Sequence, residues 1–180
     1  TAVQVATRLR DEGLNVELRV GRMRPYDLQR LVEAKPGLFT TDGDPTTDVL
    51  VATQTLEVGV DVDLAAMVTE LAPGAALVQR AGRVNRLGRR DTSEVVVVGP
   101  PDDTAITDCP PYVAADLIDA YAWVTRRAAT TADIAPITLA DDPAPGERLP
   151  RTLLQRPELW DAWLWARTND DLFDDPDLEL

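Results

Sequence analysis

The sequence predicts an α/β fold in which helices cover both faces of a parallel β-sheet. Helix-like and strand-like segments alternate along residues 2–98, which is typical of βαβ units. The segment DVLVAT at 48–53 is almost entirely apolar and β-branched, as in a strand that is covered on both faces. The segment EVVVV at 94–98 is the clearest strand of the chain. Right-handed crossovers place the loops that follow such strands at one edge of the sheet, where ligands bind.

The alternating segments can be assigned in order along the chain. The first predicted helices cover residues 2–12 and 26–34, and Gly13 and Pro36 mark their ends. The predicted strands cover residues 15–20, 48–53, 66–69 and 94–98. Because a helix rarely opens a βαβ unit, we expect a further strand before Thr1.

Residues 77–90, LVQRAGRVNRLGRR, form the most informative segment of the sequence. A helix over this segment places an apolar stripe on one side and a polar stripe, mostly arginine, on the other. The apolar stripe is Leu77, Ala81, Val84 and Gly88, and the polar stripe is Gln79, Arg83, Arg86 and Arg90. Arginine stays charged and binds phosphate through two parallel hydrogen bonds, so the polar stripe indicates a phosphate site. A solvated basic face on an amphipathic helix is the alternative.

The character of the sequence changes after Gly99, where the proline-rich stretch PPDDTAITDCPP begins. Helices are predicted over residues 112–130 and 152–166, and an acidic tail follows them. We therefore predict a domain over residues 1–99, a linker over 100–111, and a helical accessory segment with an acidic tail over 112–180. The tryptophans of that segment are predicted to pack against other helices rather than to stack on bases; they are Trp123, Trp160, Trp163 and Trp165.

The acidic charge lies in the second half of the chain. The net charge is −13, from 18 basic and 31 acidic residues. Residues 1–90 contain 12 basic and 12 acidic groups, whereas residues 91–180 contain 6 and 19. The first half can therefore hold a local basic face although the whole chain is acidic. The acidic half is predicted to be a solvated surface, and a binding face for a basic partner is the alternative.

Several kinds of chemistry are excluded by composition. The sequence has no histidine and a single cysteine, Cys109. This excludes histidine metal sites, Ser-His-Asp triads, thiolate clusters and an internal disulfide within these 180 residues, and we predict no metal site here. The chain has no apolar run of about 18 residues and no signal segment, so we expect no membrane partner and a cytoplasmic location.

The segment LVATQTLEVGVDVD at 50–63 contributes polar groups at the predicted sheet edge. A strand end that leads into a helical turn exposes backbone N–H groups, which suit a phosphate. The hydroxyl of Thr53 adds a donor, Gly59 permits a close backbone approach, and Asp61 can accept from a sugar hydroxyl. Taken alone, the segment also fits a strand, a turn and a second strand with ordinary polar residues.

The two segments together resemble motifs V and VI of superfamily 2 helicases, in their second RecA-like domain. The resemblance rests on VATQTLEVGVDVD, followed about twenty residues later by LVQRAGRVNR, and it spans residues 1–99. Within that superfamily the sequence is similar to the helicase part of the CRISPR-associated helicase–nuclease of type I systems. The segments GRMRPYDLQR and MVTELAPGAALVQRAGRVNR also carry that similarity.

The resemblance implies a role for each matched residue. Arg83 and Arg86 match the arginine fingers that reach across a cleft to the γ-phosphate of ATP, and Gln79 matches a polar residue near the same phosphate. Gly59 and Asp61 match motif V positions beside the nucleotide. Another motif V position matches Thr53 and touches the nucleic-acid backbone, while Arg80 and Gly82 match positions that shape the helix.

The implied function is ATP-dependent translocation on DNA. This function also requires parts of the protein that lie outside these 180 residues. The sequence has no GxxxxGK[ST] loop and no acidic box, so ATP and the Mg²⁺ ligands are expected on a first RecA-like domain. That domain, single-stranded DNA and a CRISPR surveillance complex are the expected partners, and the fragment alone is predicted to be inactive. Another superfamily 2 DNA repair or primosomal helicase, and a non-catalytic RecA-like interaction module, are the alternatives.

Overall fold

A computed structural model describes residues 1–56, 60–130, 133–134 and 138–146 of the 180-residue chain. Helices and strands follow one another in the predicted order. The elements are α1 (Ala2–Asp11), β1 (Val16–Arg19), α2 (Pro25–Ala34), β2 (Val49–Ala52), β3 (Ala66–Glu70), α3 (Gly74–Ala81), β4 (Glu94–Val98) and α4 (Ala114–Thr130). Single 3₁₀ turns follow β2 and β4, at Gln54–Leu56 and Asp103–Ala105. The α/β class with parallel strands is therefore confirmed.

The described strands form two parallel pairs instead of one continuous sheet. β1 pairs with β2 from Val16–Val49 to Arg19–Ala52, and β3 pairs with β4 from Ala66–Glu94 to Glu70–Val98. Each pair is one βαβ unit, because α2 connects the first two strands and α3 the last two. Between β2 and β3 the described residues contain only a 3₁₀ turn, and these two strands are not paired.

Helix α1 begins and ends with recognisable capping interactions. The Thr1 hydroxyl accepts a hydrogen bond from the Gln4 backbone, and the Gln4 side chain accepts one from the Thr1 amino group. The C-cap is Glu12, and Gly13 follows it with φ +89°, a backbone conformation that favours glycine. The Arg10 guanidinium donates two hydrogen bonds to the carbonyl of Val16, which ties the helix to β1.

Lys35, the only lysine of the sequence, connects the end of α2 with β1 and the loop before β2. Its Nζ lies 2.9 Å from Glu17 Oε1 and 3.3 Å from Asp44 Oδ2, and it donates to the Thr47 hydroxyl at 2.7 Å. The hydrogen bond to Glu17 is the main reason that the pKa of Lys35 is raised. Asp44 also accepts hydrogen bonds from Thr47 and from the Thr46 backbone, and these lower its pKa to about 2.

The hydrophobic core described around α3 is closed by α4. It consists of small residues around two large ones, namely Ala72, Ala76, Leu77, Ala120 and Trp123. Leu77 and Trp123 are each 2% exposed, so the predicted packing role of Trp123 is confirmed. The side chain of Arg80, on α3, donates to the hydroxyl of Thr69 at 2.8 Å and to that of Tyr112 at 3.0 Å. α3 is thereby joined both to β3 and to the segment that leads into α4.

Arg127 organises the chain after α4. It is 7% exposed, and its guanidinium donates to the backbone carbonyls of Asp133 and Asp142 and to the hydroxyl of Thr138. The same guanidinium forms an ion pair with the Asp142 carboxylate at 3.1 Å. The indole N–H of Trp123 donates to the Asp142 carbonyl as well, so one arginine and one tryptophan fix this segment on α4.

Contacts divide the chain into a compact unit, Thr1–Arg148, and a second unit, Leu149–Leu180, which lies outside the described residues. The predicted helix over 152–166 therefore lies outside them, together with Trp160, Trp163 and Trp165. The predicted boundaries 1–99, 100–111 and 112–180 remain predictions. No helix in the described part of the chain has the length and apolar character needed to cross a membrane.

Candidate nucleotide and nucleic-acid site

The predicted helix over residues 77–90 ends much earlier in the structure. α3 covers Gly74–Ala81, and Gly82 is its C-cap. The prediction of one arginine stripe on a long helix is therefore wrong, although Leu77 and Ala81 do lie on the buried face. The chain leaves the helix because residue 64 binds the backbone on both sides of Val84, a contact between distant segments that helical periodicity does not reveal.

Residues 83–85 are joined to residue 64 by backbone hydrogen bonds. The N–H of Leu64 donates to the carbonyl of Arg83 at 2.8 Å, and the N–H of Asn85 donates to the carbonyl of Leu64 at 2.9 Å. Leu64 and Val84 thus form a parallel β-bridge. The bridge connects the residue that follows the segment predicted as motif V with Val84, which lies within the segment predicted as motif VI.

Arg86 extends this connection with an ion pair. Its Nε lies 2.6 Å from Oδ1 of Asp61, and the two side chains are 41% and 67% exposed. Arg83, three residues earlier, is half-buried. The structure therefore brings together Arg86 and Asp61, two of the predicted site residues, and joins Arg83 to the neighbouring Leu64 through its backbone carbonyl. In the structure a guanidinium binds the Asp61 carboxylate, whereas the sequence predicts that this carboxylate accepts from a sugar hydroxyl.

The other predicted site residues lie on separate elements. Gln79 is exposed on α3. Thr53 is exposed directly after β2, where its backbone N–H donates to the carbonyl of Arg19. The neighbouring Thr55 hydroxyl donates to the same carbonyl, so the exit of β2 is held against β1. Gly59 lies outside the described residues.

Sequence reasoning missed a second ion pair beside the first. Nη1 of Arg90 lies 3.4 Å from Oδ2 of Asp63, whose side chain is 1% exposed. The order VDVD, with a second acidic residue two positions after Asp61, was the signal for this pair. Sequence reasoning also missed the positive φ of Asn85, +46°, although asparagine is the residue, after glycine, that most readily adopts a left-handed backbone.

The donor set of this site suits an anion. Arginine side chains only donate hydrogen bonds, and the exposed guanidinium of Arg86 can exchange its carboxylate partner for a phosphate oxygen. A divalent cation fits the described residues poorly, because Asp61 and Asp63 are each bound by an arginine. In the described ranges no group of three or more acidic, histidine or cysteine side chains could hold a metal ion.

The described residues thus form a parallel-stranded α/β domain in which a backbone bridge and an ion pair join residues 83–86 to residues 61–64. Residues 1–89 match the family model of the C-terminal part of the CRISPR-associated nuclease/helicase Cas3. Over these residues the chain is similar to the C-terminal part of the Cas3 family, and the resemblance predicted from the sequence is confirmed.

Individual relatives agree with this family. The chain is 45% identical over 74 residues to a protein of Myxococcus xanthus (strain DK1622) that is named as a CRISPR-associated nuclease/helicase Cas3. Those residues are 41% of this chain and 10% of the relative.

Solved structures support the same fold. A crystal structure of T. fusca Cas3-ATP superposes with a TM-score of 0.59 and 24% identity, over 78% of this chain and 18% of that one. The crystal structure of another CRISPR-associated protein superposes with a TM-score of 0.50 and 23% identity, over 91% and 20%. The chain thus spans a fifth or less of the proteins it matches.

Proposed function

We propose that this chain is the second motor domain of a cytoplasmic, ATP-dependent translocase on single-stranded DNA, within a CRISPR helicase–nuclease. The first RecA-like domain supplies the ATP-binding loop and the Mg²⁺ ligands, and a CRISPR surveillance complex delivers the DNA. The fragment alone is inactive in this proposal, because it provides only one side of the nucleotide site.

The observation that carries the proposal is the connection between residues 61–64 and residues 83–86. The backbone bridge at Leu64 holds the backbone of Arg83, and the 2.6 Å ion pair joins Arg86 to Asp61. Two guanidinium groups on a fixed backbone can donate hydrogen bonds to a phosphoryl group as negative charge develops on it. Such a pair lowers the barrier to hydrolysis without carrying out covalent chemistry itself.

Arg86 has to exchange partners in this mechanism. In the structure its guanidinium is paired with Asp61, and both side chains are partly exposed to solvent. A solvent-exposed ion pair contributes about 0–1 kcal/mol, so a phosphate with more than one negative charge can displace the carboxylate. Asp61 is then released to accept a hydrogen bond from the sugar of the nucleotide. Gln79 donates near the same phosphate, and Gly59 is assigned to the nucleotide site by its motif alone.

Thr53 connects the nucleotide site with the DNA. It is exposed at the carboxyl end of β2, and its hydroxyl can donate to a backbone phosphate of the strand. Because β2 is paired with β1 over four residues, the threonine is held on a rigid element. Contacts to phosphate position a strand without reading its sequence, which suits a motor that moves along any DNA.

Substitution of Arg83 in the protein that also contains the first RecA-like domain tests the proposal. We expect Arg83→Ala to reduce kcat for ATP hydrolysis roughly 1,000-fold, the lower range for an arginine finger. The KM for ATP should change little, because the ATP-binding loop lies on the other domain. Arg89→Ala is the matched control, since Arg89 is exposed and its described contact is a long hydrogen bond to the Thr41 carbonyl.

The alternatives predict different results. An ATPase rate in Arg83→Ala equal to that of the wild type contradicts the assignment and favours the non-catalytic interaction module. A slow Arg83→Ala variant whose ATPase is stimulated by forked duplex without any surveillance complex favours a DNA repair or primosomal helicase. Single-stranded DNA stimulation together with dependence on the surveillance complex for duplex loading supports the proposal.

A further inference from the structure

Residues 85–90 form a loop that is closed by the side chain of its first residue, Asn85. Oδ1 of Asn85 accepts a hydrogen bond from the backbone N–H of Arg90 at 3.0 Å, and Nδ2 of Asn85 donates to the Arg90 carbonyl at 2.7 Å. The N–H of Gly88 donates to the Asn85 carbonyl across the same loop at 2.9 Å. We name residues 85–90 the Asn85 loop. The side-chain amide of Asn85 thus binds the backbone of Arg90 through both its oxygen and its nitrogen.

The backbone of the Asn85 loop adopts a conformation that is unfavourable in free energy for most residues. Asn85 has φ +46°, and it is the one non-glycine residue of the described ranges with a positive φ. Gly88 within the loop has φ +63°. A left-handed conformation outside glycine persists only where the surroundings impose it, and such positions are concentrated at functional sites. Asparagine adopts a positive φ at a lower cost in free energy than other non-glycine residues. Here its side chain also closes the loop.

The loop is attached to the rest of the domain at both ends. Its first residue donates its backbone N–H to the Leu64 carbonyl at 2.9 Å. Its last residue, Arg90, forms the ion pair with the buried Asp63 at 3.4 Å. Residues 63 and 64 are adjacent, so a single short segment holds the two ends together. Arg86 is the second residue of the loop and is exposed on it.

We propose that Asn85 is a positioning residue that directs the Arg86 guanidinium toward the phosphate. This inference rests on the proposed function of Arg86. A guanidinium on an unrestrained loop has to be ordered when the phosphoryl group is transferred, whereas one on a closed loop is already in place. Asn85 itself contacts neither nucleotide nor DNA in this account, and its effect is transmitted through the backbone of the loop.

Asn85→Gly is the variant that tests this role. Glycine adopts a positive φ without strain, so the substitution removes the two side-chain hydrogen bonds and keeps the backbone conformation accessible. In the protein that contains both RecA-like domains we expect kcat for ATP hydrolysis to fall roughly 10- to 100-fold, as for a misplacement of about 1 Å. The KM for ATP should be unchanged. Asn15→Gly is the control, because Asn15 is an exposed asparagine beside β1.

A double variant separates positioning from general structure. If Asn85 acts through Arg86, then Asn85→Gly combined with Arg86→Ala has the same kcat as Arg86→Ala alone. Multiplied losses in the double variant, or a wild-type kcat in Asn85→Gly, overturn the inference. Asn85→Asp provides a second variant, since it keeps the acceptor for the Arg90 N–H and loses the donor. Its kcat should lie between those of the wild type and Asn85→Gly, and an equal loss in both contradicts the two-bond account.

The outcome also distinguishes this inference from the proposed function. A wild-type ATPase rate in Arg86→Ala removes the proposed role of the arginine, and with it the reason for positioning it. A slow Arg86→Ala variant together with a normal Asn85→Gly variant leaves the proposed function in place and removes only the role of Asn85.

Discussion

Replacement of Leu77 by alanine should strongly destabilise the domain, because Leu77 lies at the centre of the core around α3. It is 2% exposed, and its core neighbours are Ala72, Ala76, Ala120 and Trp123. Leu→Ala changes in protein cores cost about 2–5 kcal/mol, depending on how far the surroundings relax into the cavity. The three alanine side chains are too short to fill this cavity, so we expect the free energy of unfolding to fall by about 3–4 kcal/mol.

Chemical and thermal unfolding of the chain, followed by circular dichroism, measures this loss. For a domain of this size the expected change corresponds to a decrease in Tm of roughly 6–16 °C, at about 2–4 °C per kcal/mol. Leu87→Ala is the matched control, because Leu87 is 46% exposed and should change stability by less than about 0.5 kcal/mol. Equal losses in the two variants would refute the argument that burial in the core sets the cost.

Three further predictions concern other parts of the chain. The pKa of Asp44 is about 2 in the folded protein, below its ordinary value of 3.8, so its carboxylate stabilises the fold above about pH 4 and this contribution is lost as pH falls toward 2. Asp44→Asn should therefore lower stability at pH 7 and flatten the acid branch of a pH–stability curve measured by urea titration. Gly74→Ala should cost about 1–3 kcal/mol in thermal melts, because its Cβ would lie 2.7 Å from Cδ of Pro145, whereas Gly146→Ala has open space and should be neutral. Thr53→Val should weaken binding of single-stranded DNA by the two-domain protein in fluorescence anisotropy, with no change in the KM for ATP.

The fold could be predicted where local pattern and tertiary structure agree. The strand over 94–98 has the same ends in the structure, because an uninterrupted valine run can be recognised without its neighbours. The helix predicted over 112–130 covers Ala114–Thr130 for a similar reason, since its apolar face packs on the core at Ala120 and Trp123. The secondary structure of such long periodic segments can be predicted from their own sequence.

The end of α3 could not be predicted in this way. The apolar spacing of 77–90 continues past Ala81, but the bridge between Leu64 and Val84 draws the chain out of the helix. A contact between residues twenty positions apart leaves no periodic trace in the sequence. Asn85 and Gly88 were the local signals, because both favour a left-handed backbone that a helix does not contain.

The candidate site was predicted by motif rather than by geometry. Motif matching identified Arg86 and Asp61, whose side chains form an ion pair, and Arg83, whose carbonyl accepts a hydrogen bond from Leu64. It did not identify Asp63 or Arg90, because their pairing depends on the loop geometry rather than on residue type alone. Physical reasoning from residue types predicts what an arginine can bind, and only the structure reveals which carboxylate each arginine binds.

A structure of the two-domain protein with a non-hydrolysable ATP analogue and Mg²⁺ tests the central claim most directly. We predict that guanidinium nitrogens of Arg83 and Arg86 lie about 2.7–3.2 Å from γ-phosphate oxygens, within hydrogen-bond distance. The 2.6 Å contact between Arg86 and Asp61 should then be broken. A closed complex in which the phosphate is bound by other groups, with Arg86 still paired to Asp61, would contradict the account.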